Sequence, residues 1–119
     1  MSRHIGLITG AASGIGLKTA KRLLKKGWEI YGLDNDKNGL EQSSEEIDNS
    51  NYIAKPCDLR SEEALKKIFA EIPKNQQKIN ALIACAGVLK LGTLEDMSTE
   101  DFDAVFDINV RGLWLSARE

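Results

Sequence analysis

The chain has 119 residues, 42% hydrophobic and 29% charged, with a formal net charge of −2. That fits one globular domain, and the lack of a basic excess argues against a nucleic-acid partner. The longest apolar run, Ala81 to Leu89, falls short of the roughly 18 residues of a membrane span, and no basic-then-apolar leader opens the chain.

His4 to Thr9 is a short apolar run ending in a glycine cluster, which predicts a strand. Ser13 is placed to cap the next helix, in which Ile15, Thr19, Leu23 and the stem of Lys26 recur at helical spacing, widened by Ala20 and Leu24. Gly27 stops it. Trp28 to Leu33 predicts a second strand ending at Asp34, and Asn38 to Ile47 a polar helix closed by the turn cluster Asn49-Ser50-Asn51. Tyr52 opens a third strand reaching Cys57, where Pro56 suits a sheet edge because it lacks an amide donor. Ser61 caps the next helix, whose apolar face is Leu65, Ile68, Phe69 and Ile72 and whose stop is Pro73. Ile79 to Ala86 is apolar enough for a strand covered on both faces. Ser98 caps a helix to Asp107, and a last helix begins near Asn109. Strands alternating with helices imply an α/β fold with a parallel sheet.

Thr9 to Gly16 joins the first strand to the first helix and holds glycines at 10, 14 and 16. Such a turn lets backbone amides approach a pyrophosphate, and the helix N-terminus adds a positive dipole end. Gly14-Ile15-Gly16-Leu17-Lys18-Thr19 is not a triphosphate P-loop, because Leu17 stands where glycine must precede the lysine. Asp34 follows the turn at roughly the 20 residues expected of the acid that bonds the adenosine ribose hydroxyls. A carboxylate there repels a 2′-phosphate, and Ser13 and Asn35 offer no cation to attract one, so NAD is expected over NADP. Cys57 and Cys85 have no metal-ligand spacing. They read as small buried hydrophobes, with no metal expected and a reducing cytoplasm as the compartment.

At this point the sequence resembles the short-chain dehydrogenase/reductase family. Thr9 to Gly16 is similar to its Thr-Gly-x-x-x-Gly-Ile-Gly signature, Asp58-Leu59 to its adenine-contacting pair, Ala86-Gly87 to the end of its Asn-Asn-Ala-Gly block, and Asn109 to its structural and catalytic asparagine. The resemblance implies a Rossmann fold with strand order 3-2-1-4 over this stretch. It places Gly10, Ser13, Gly14, Ile15 and Gly16 at the phosphates, Asp34 at the ribose, Asp58 and Leu59 at the adenine, and Ala86 and Gly87 against the cofactor. Asn109 is the only member of the catalytic network that it finds.

Two departures qualify this. Ala84-Cys85 stand in place of the family's Asn-Asn, so Cys85 is expected near the cofactor cleft. The family's Tyr-x-x-x-Lys pair is absent: Asn35 lies four residues after Tyr31, and Pro56 four after Tyr52. A full member is roughly twice this length, so the reading is an N-terminal part, incomplete from the fifth strand onward and inactive alone. The parent would act on a small-molecule alcohol or carbonyl. Ala86 to Gly92 resembles family members that oxidise dihydroxy-dihydrobenzoate. The fourth strand is then an open edge, and Val110, Leu113, Trp114 and Leu115 make the last helix apolar enough to expect a homo-oligomer. The alternative is a naturally short, non-catalytic nucleotide-binding or interaction module. A response-regulator-like domain gives no reason for the glycine turn.

Overall fold

The computed structural model describes residues 3–72 and 78–119. Four strands form one parallel sheet, β1 (Ile5–Thr9), β2 (Glu29–Asp34), β3 (Tyr52–Pro56) and β4 (Ile79–Ala84), in the order β3-β2-β1-β4. The expected Rossmann order is therefore present. Both predicted edges are edges, β3 with Pro56 at its end and β4 with its residues only partly covered.

Side chains alternate across a strand, so each strand feeds two cores. Ile5, Leu7, Tyr31 and Leu33 point to the face covered by α3 (Glu62–Glu71) and α5 (Leu113–Arg118), where Leu65, Ile68 and Leu115 meet them. Ile8 and Ile30 point to the face covered by α1 (Gly14–Lys25) and α2 (Lys37–Ile47), where Ala20, Leu24 and Leu40 meet them. Most of these side chains are fully buried, each contributing about 1.5–3 kcal/mol. Ser61 and Ser98 cap α3 and α4 (Thr99–Phe106) as expected, accepting from the amides of Ala64 and Asp101. The predicted stop at Pro73 lies outside the described residues. No helix among the described residues is long and apolar enough to cross a membrane.

Three local expectations are corrected. Ser13 precedes α1 but its side chain caps nothing. The buried stripe of α1 is Gly16, Ala20 and Leu24: the predicted widening at Ala20 and Leu24 is its centre, while Ile15 of the predicted stripe is 76% exposed. The reason is Gly16: its Cα sits against the Gly10 carbonyl, so the helix packs by its smallest residues and turns Ile15 outward. No separate helix begins near Asn109. Instead α4 runs through a π-helical turn (Asp107–Gly112) into α5, and such turns occur frequently at functional sites.

Asn80 was not singled out in the sequence. The β1–β4 register shifts between Ile5 and Gly6, and the Asn80 carboxamide oxygen accepts the Ile5 amide at 2.7 Å, filling the gap in the ladder. Tyr52 crosses Gly32 of β2, where any Cβ would overlap its ring. The Tyr52 hydroxyl is buried without a hydrogen-bond partner among the described residues, and the neighbouring Ser43 hydroxyl donates instead to the Leu40 carbonyl at 2.8 Å. Burial pushes the Tyr52 pKa up. An unmet buried hydroxyl costs free energy, so Tyr52→Phe is expected to stabilise the chain by about 1 kcal/mol in chemical denaturation. A loss of stability would show that the hydroxyl is satisfied.

Candidate functional site

The strands' C-terminal ends converge on one side of the sheet, and a cleft of about 570 Å³ opens there, beyond the ends of the paired strands β1 and β4. That is the switch point at which open parallel sheets bind ligands. Gly10, Ser13, Gly14, Ile15, Asp34, Asp58, Leu59, Ala86 and Gly87 all line it. Gly16 and Asn109 stand behind its wall rather than in it. Asn35, read from the sequence as the uncharged neighbour of a 2′-phosphate position, and Cys85 line it as well, and so do Ala12, Asp36, Cys57, Val88 and Ile108, which carried no site expectation.

The glycine turn is tied to β2. The amides of Gly10 and Ala11 both donate to the Leu33 carbonyl, at 2.9 and 3.1 Å. The Ala12 amide donates to Asp34 Oδ2 at 3.0 Å, and the Asp36 amide to Asp34 Oδ1 at 2.9 Å. Asp34 therefore has a second task that its spacing alone did not reveal: it fixes the turn while presenting its remaining lone pairs to the cleft. On the other side the Cys85 amide donates to the Thr9 carbonyl at 3.1 Å, bringing the β4 exit alongside the turn.

Two glycines of the turn are conformationally required. Gly10 has φ +73°, and a Cβ there would lie 2.7 Å from the Ala86 amide nitrogen. Gly14 has φ +56° but faces open space. Open space beside the N-terminus of a 12-residue helix is what an approaching diphosphate needs.

Asn109 lies in the π-helical turn and clamps Val88 by two bonds. Its Oδ1 accepts the Val88 amide and its Nδ2 donates to the Val88 carbonyl, both at 2.9 Å. The segment after β4 is thereby held along the cleft wall.

Cys57 is buried and Cys85 partly exposed, and both line the cleft. Cys57 fits the expectation of a buried hydrophobe, whereas Cys85 departs from it: it is only partly buried because it lines the open cleft. Burial, helped by the negative charge of Asp58, pushes the Cys57 thiol up to about 11. Since thiolates are the reactive form, a maleimide at pH 7 is expected to label Cys85 and leave Cys57 unmodified, as peptide mass mapping will read. Asp58 is held below the ordinary carboxylate range by the Arg60 side chain, against a smaller opposing effect of burial.

Residues 4–119 match the family model described as short chain dehydrogenase. The 2,3-dihydro-2,3-dihydroxybenzoate dehydrogenase of Bacillus subtilis (strain 168) is 34% identical over 116 residues, covering 96% of this chain and 44% of that protein. The chain thus spans about half the length of the curated relatives it matches. The 3-ketoacyl-(acyl-carrier-protein) reductase of Brucella melitensis, crystallised with NADH, superposes with a TM-score of 0.85 at 32% identity, over 97% of this chain and 47% of that one. A serine dehydrogenase complexed with NADP+ superposes with a TM-score of 0.87 at 26% identity, over 96% of this chain and 46% of that one.

Proposed function

The chain belongs to the short-chain dehydrogenase family, and from that premise we propose that its cleft binds the adenosine and pyrophosphate half of NAD. The chain is then the N-terminal part of an oxidoreductase. The observation that carries this reading is the joining of the glycine turn to Asp34 through the Ala12 amide, in the cleft beyond the ends of β1 and β4. The amides at the start of α1 face the diphosphate, Asp34 the ribose, Asp58 and Leu59 the adenine, and Ala86 and Gly87 the cofactor's flank. NAD supplies the hydride chemistry when bound, and the protein's part is to orient it. No Tyr-x-x-x-Lys pair exists in this sequence, so these residues bind cofactor without turnover. Asn109 holds the β4 exit, and its share in a catalytic network would require the remaining residues of that network.

Relatives named for both NADH and NADP+ share the fold, so the preference for NAD rests on Asp34 and on the absence of a lysine or arginine at Ser13 and Asn35. A substrate of the dihydrodiol type is the first to assay on a longer protein. The similarity of Ala86 to Gly92 and the name of the B. subtilis relative support that choice. The expected compartment is the cytoplasm, since both cysteines are free thiols. The test uses the thiol at the cleft: NAD is expected to slow maleimide labelling of Cys85 several-fold. Labelling unchanged at saturating NAD would contradict the placement.

The same reading includes homo-oligomerisation through the last helices. Phe102, Phe106, Val110, Leu113 and Trp114 are exposed, whereas Leu115 is fully buried and covers the sheet. Phe102 and Phe106 stack at 4.6 Å, and Arg118 covers only part of Trp114. Apolar surface of this extent marks an association site. Light scattering is expected to show dimers or larger species, with Val110→Asp shifting the chain to monomer. A monomeric parent chain would contradict it.

A further inference from the structure

The charges of the chain are segregated. No acid precedes Glu29, whereas Lys18, Lys21, Arg22, Lys25 and Lys26 all lie on α1 or at its end. At helical spacing Ile15, Lys18, Arg22, Lys25 and Lys26 form one exposed stripe, opposite the buried Gly16, Ala20 and Leu24. Lys21 is paired with Glu46 at 2.6 Å. The other four cations have no ion-pair partner among the described residues. With Ile15 and Thr19 they line an open groove along the helix. Ile15 also lines the cleft, so the stripe begins at the cleft's mouth.

The cleft itself is lined by Asp34, Asp36 and Asp58 and by no lysine or arginine. Of these carboxylates only Asp58 is in an ion pair, with Arg60. An approaching anion therefore meets side chains of its own sign. The dipole of α1 favours the anion once it has arrived, but that effect falls off within the first turn. The stripe supplies a field of the opposite sign from the side of the mouth. At about 1.5 Å of rise per residue, Lys18 stands about 4–5 Å along the helix axis from Ile15, and Lys25 about 15 Å. Salt screens exposed charges over roughly 10 Å at 0.1 M and roughly 30 Å at 0.01 M. Lys18 thus acts on the mouth at either salt concentration, and Lys25 mainly at the lower one.

We propose that Lys18, Arg22, Lys25 and Lys26 form a steering surface that speeds the association of an anionic dinucleotide with the cleft. This rests on the reading of the cleft as a dinucleotide site. None of the four lines the cleft, so they act on the encounter and not on the bound molecule. Charges of this kind change the association rate and its salt dependence and leave dissociation alone.

The test is stopped-flow binding of NADH, followed by its fluorescence, for wild type, K18Q/R22Q and K66Q/K67Q. The last pair removes the same charge from α3, on the opposite face of the sheet. Glutamine keeps the helix propensity of lysine and arginine, so all three proteins are expected to fold alike, as circular dichroism will check. At about 0.01 M salt K18Q/R22Q should associate roughly three- to tenfold more slowly than wild type, with dissociation within about twofold. At about 1 M salt, where screening acts over roughly 3 Å, the difference should vanish. K66Q/K67Q should follow wild type throughout. Equal association rates for wild type and K18Q/R22Q at low salt overturn the proposal. An equal slowing in K66Q/K67Q also overturns it, because net charge then suffices. Faster dissociation of K18Q/R22Q overturns it too, by making the stripe a contact. Each of these leaves the cleft reading standing, whereas failure of wild type to bind NADH overturns both.

Discussion

Gly10→Ala is expected to cost the chain about 2–5 kcal/mol of stability, and Gly14→Ala only about 1–2 kcal/mol. Both glycines have positive φ, so each alanine carries the left-handed penalty of about 1–2 kcal/mol. They differ in what surrounds them. At Gly10 the new methyl meets the backbone of Cys85 and Ala86 at 2.7–2.8 Å, and backbone cannot swing aside as a side-chain tip can. Forcing β1 and β4 apart adds roughly 1–3 kcal/mol of overpacking. The sum, about 2–5 kcal/mol, is a large part of the roughly 5–15 kcal/mol that holds a typical domain. At Gly14 nothing lies within 4 Å, so only the backbone penalty applies. Urea denaturation of the two variants checks the difference. Equal losses would show that the contact between the turn and the β4 exit is not the tight one described.

Asp34→Ala is expected to act twice. It removes the acceptor of the Ala12 and Asp36 amides, a loss of about 1–3 kcal/mol that should appear as faster amide exchange in the turn. It also removes the charge that repels a 2′-phosphate, so the preference for NAD should narrow from roughly tenfold or more to within about threefold. Asp34→Asn separates the two effects. One side-chain oxygen remains, so one amide bond is kept, while the charge is gone. Loss of preference with most of the stability retained is the expected outcome. If the variant keeps a strong NAD preference, the discrimination lies elsewhere in the cleft.

The strand order and most helix limits were legible because they rest on coarse signals: apolar runs, glycine punctuation and serine caps at positions 61 and 98. The site was legible as a set of residues for a similar reason, since the turn, Asp34, Asp58 and Gly87 sit at strand ends that a parallel sheet must gather on one side. What was missed depends on contacts between distant parts of the chain. Ile15 reads as core by spacing alone, and only the meeting of Gly16 with the Gly10 carbonyl rotates it outward. Asn80 looks like an interruption in an apolar strand until its carboxamide is seen completing the ladder at Ile5. The helix through Asn109 was expected as two, one ending at Asp107 and one beginning near Asn109, because apolar spacing gives no signal for a π-helical turn. In the fold Gly112 lets that turn approach Leu59, where a Cβ would lie 3.0 Å from the Leu59 Cβ.

The central claim is that the cleft beyond the ends of β1 and β4 is an NAD site governed by Asp34. Calorimetric titration of the 119-residue chain with NAD and with NADP tests it most directly. The account predicts saturable binding of NAD at one site per chain, with NADP weaker by roughly tenfold or more. Binding of neither nucleotide, or NADP binding as tightly as NAD, would contradict it.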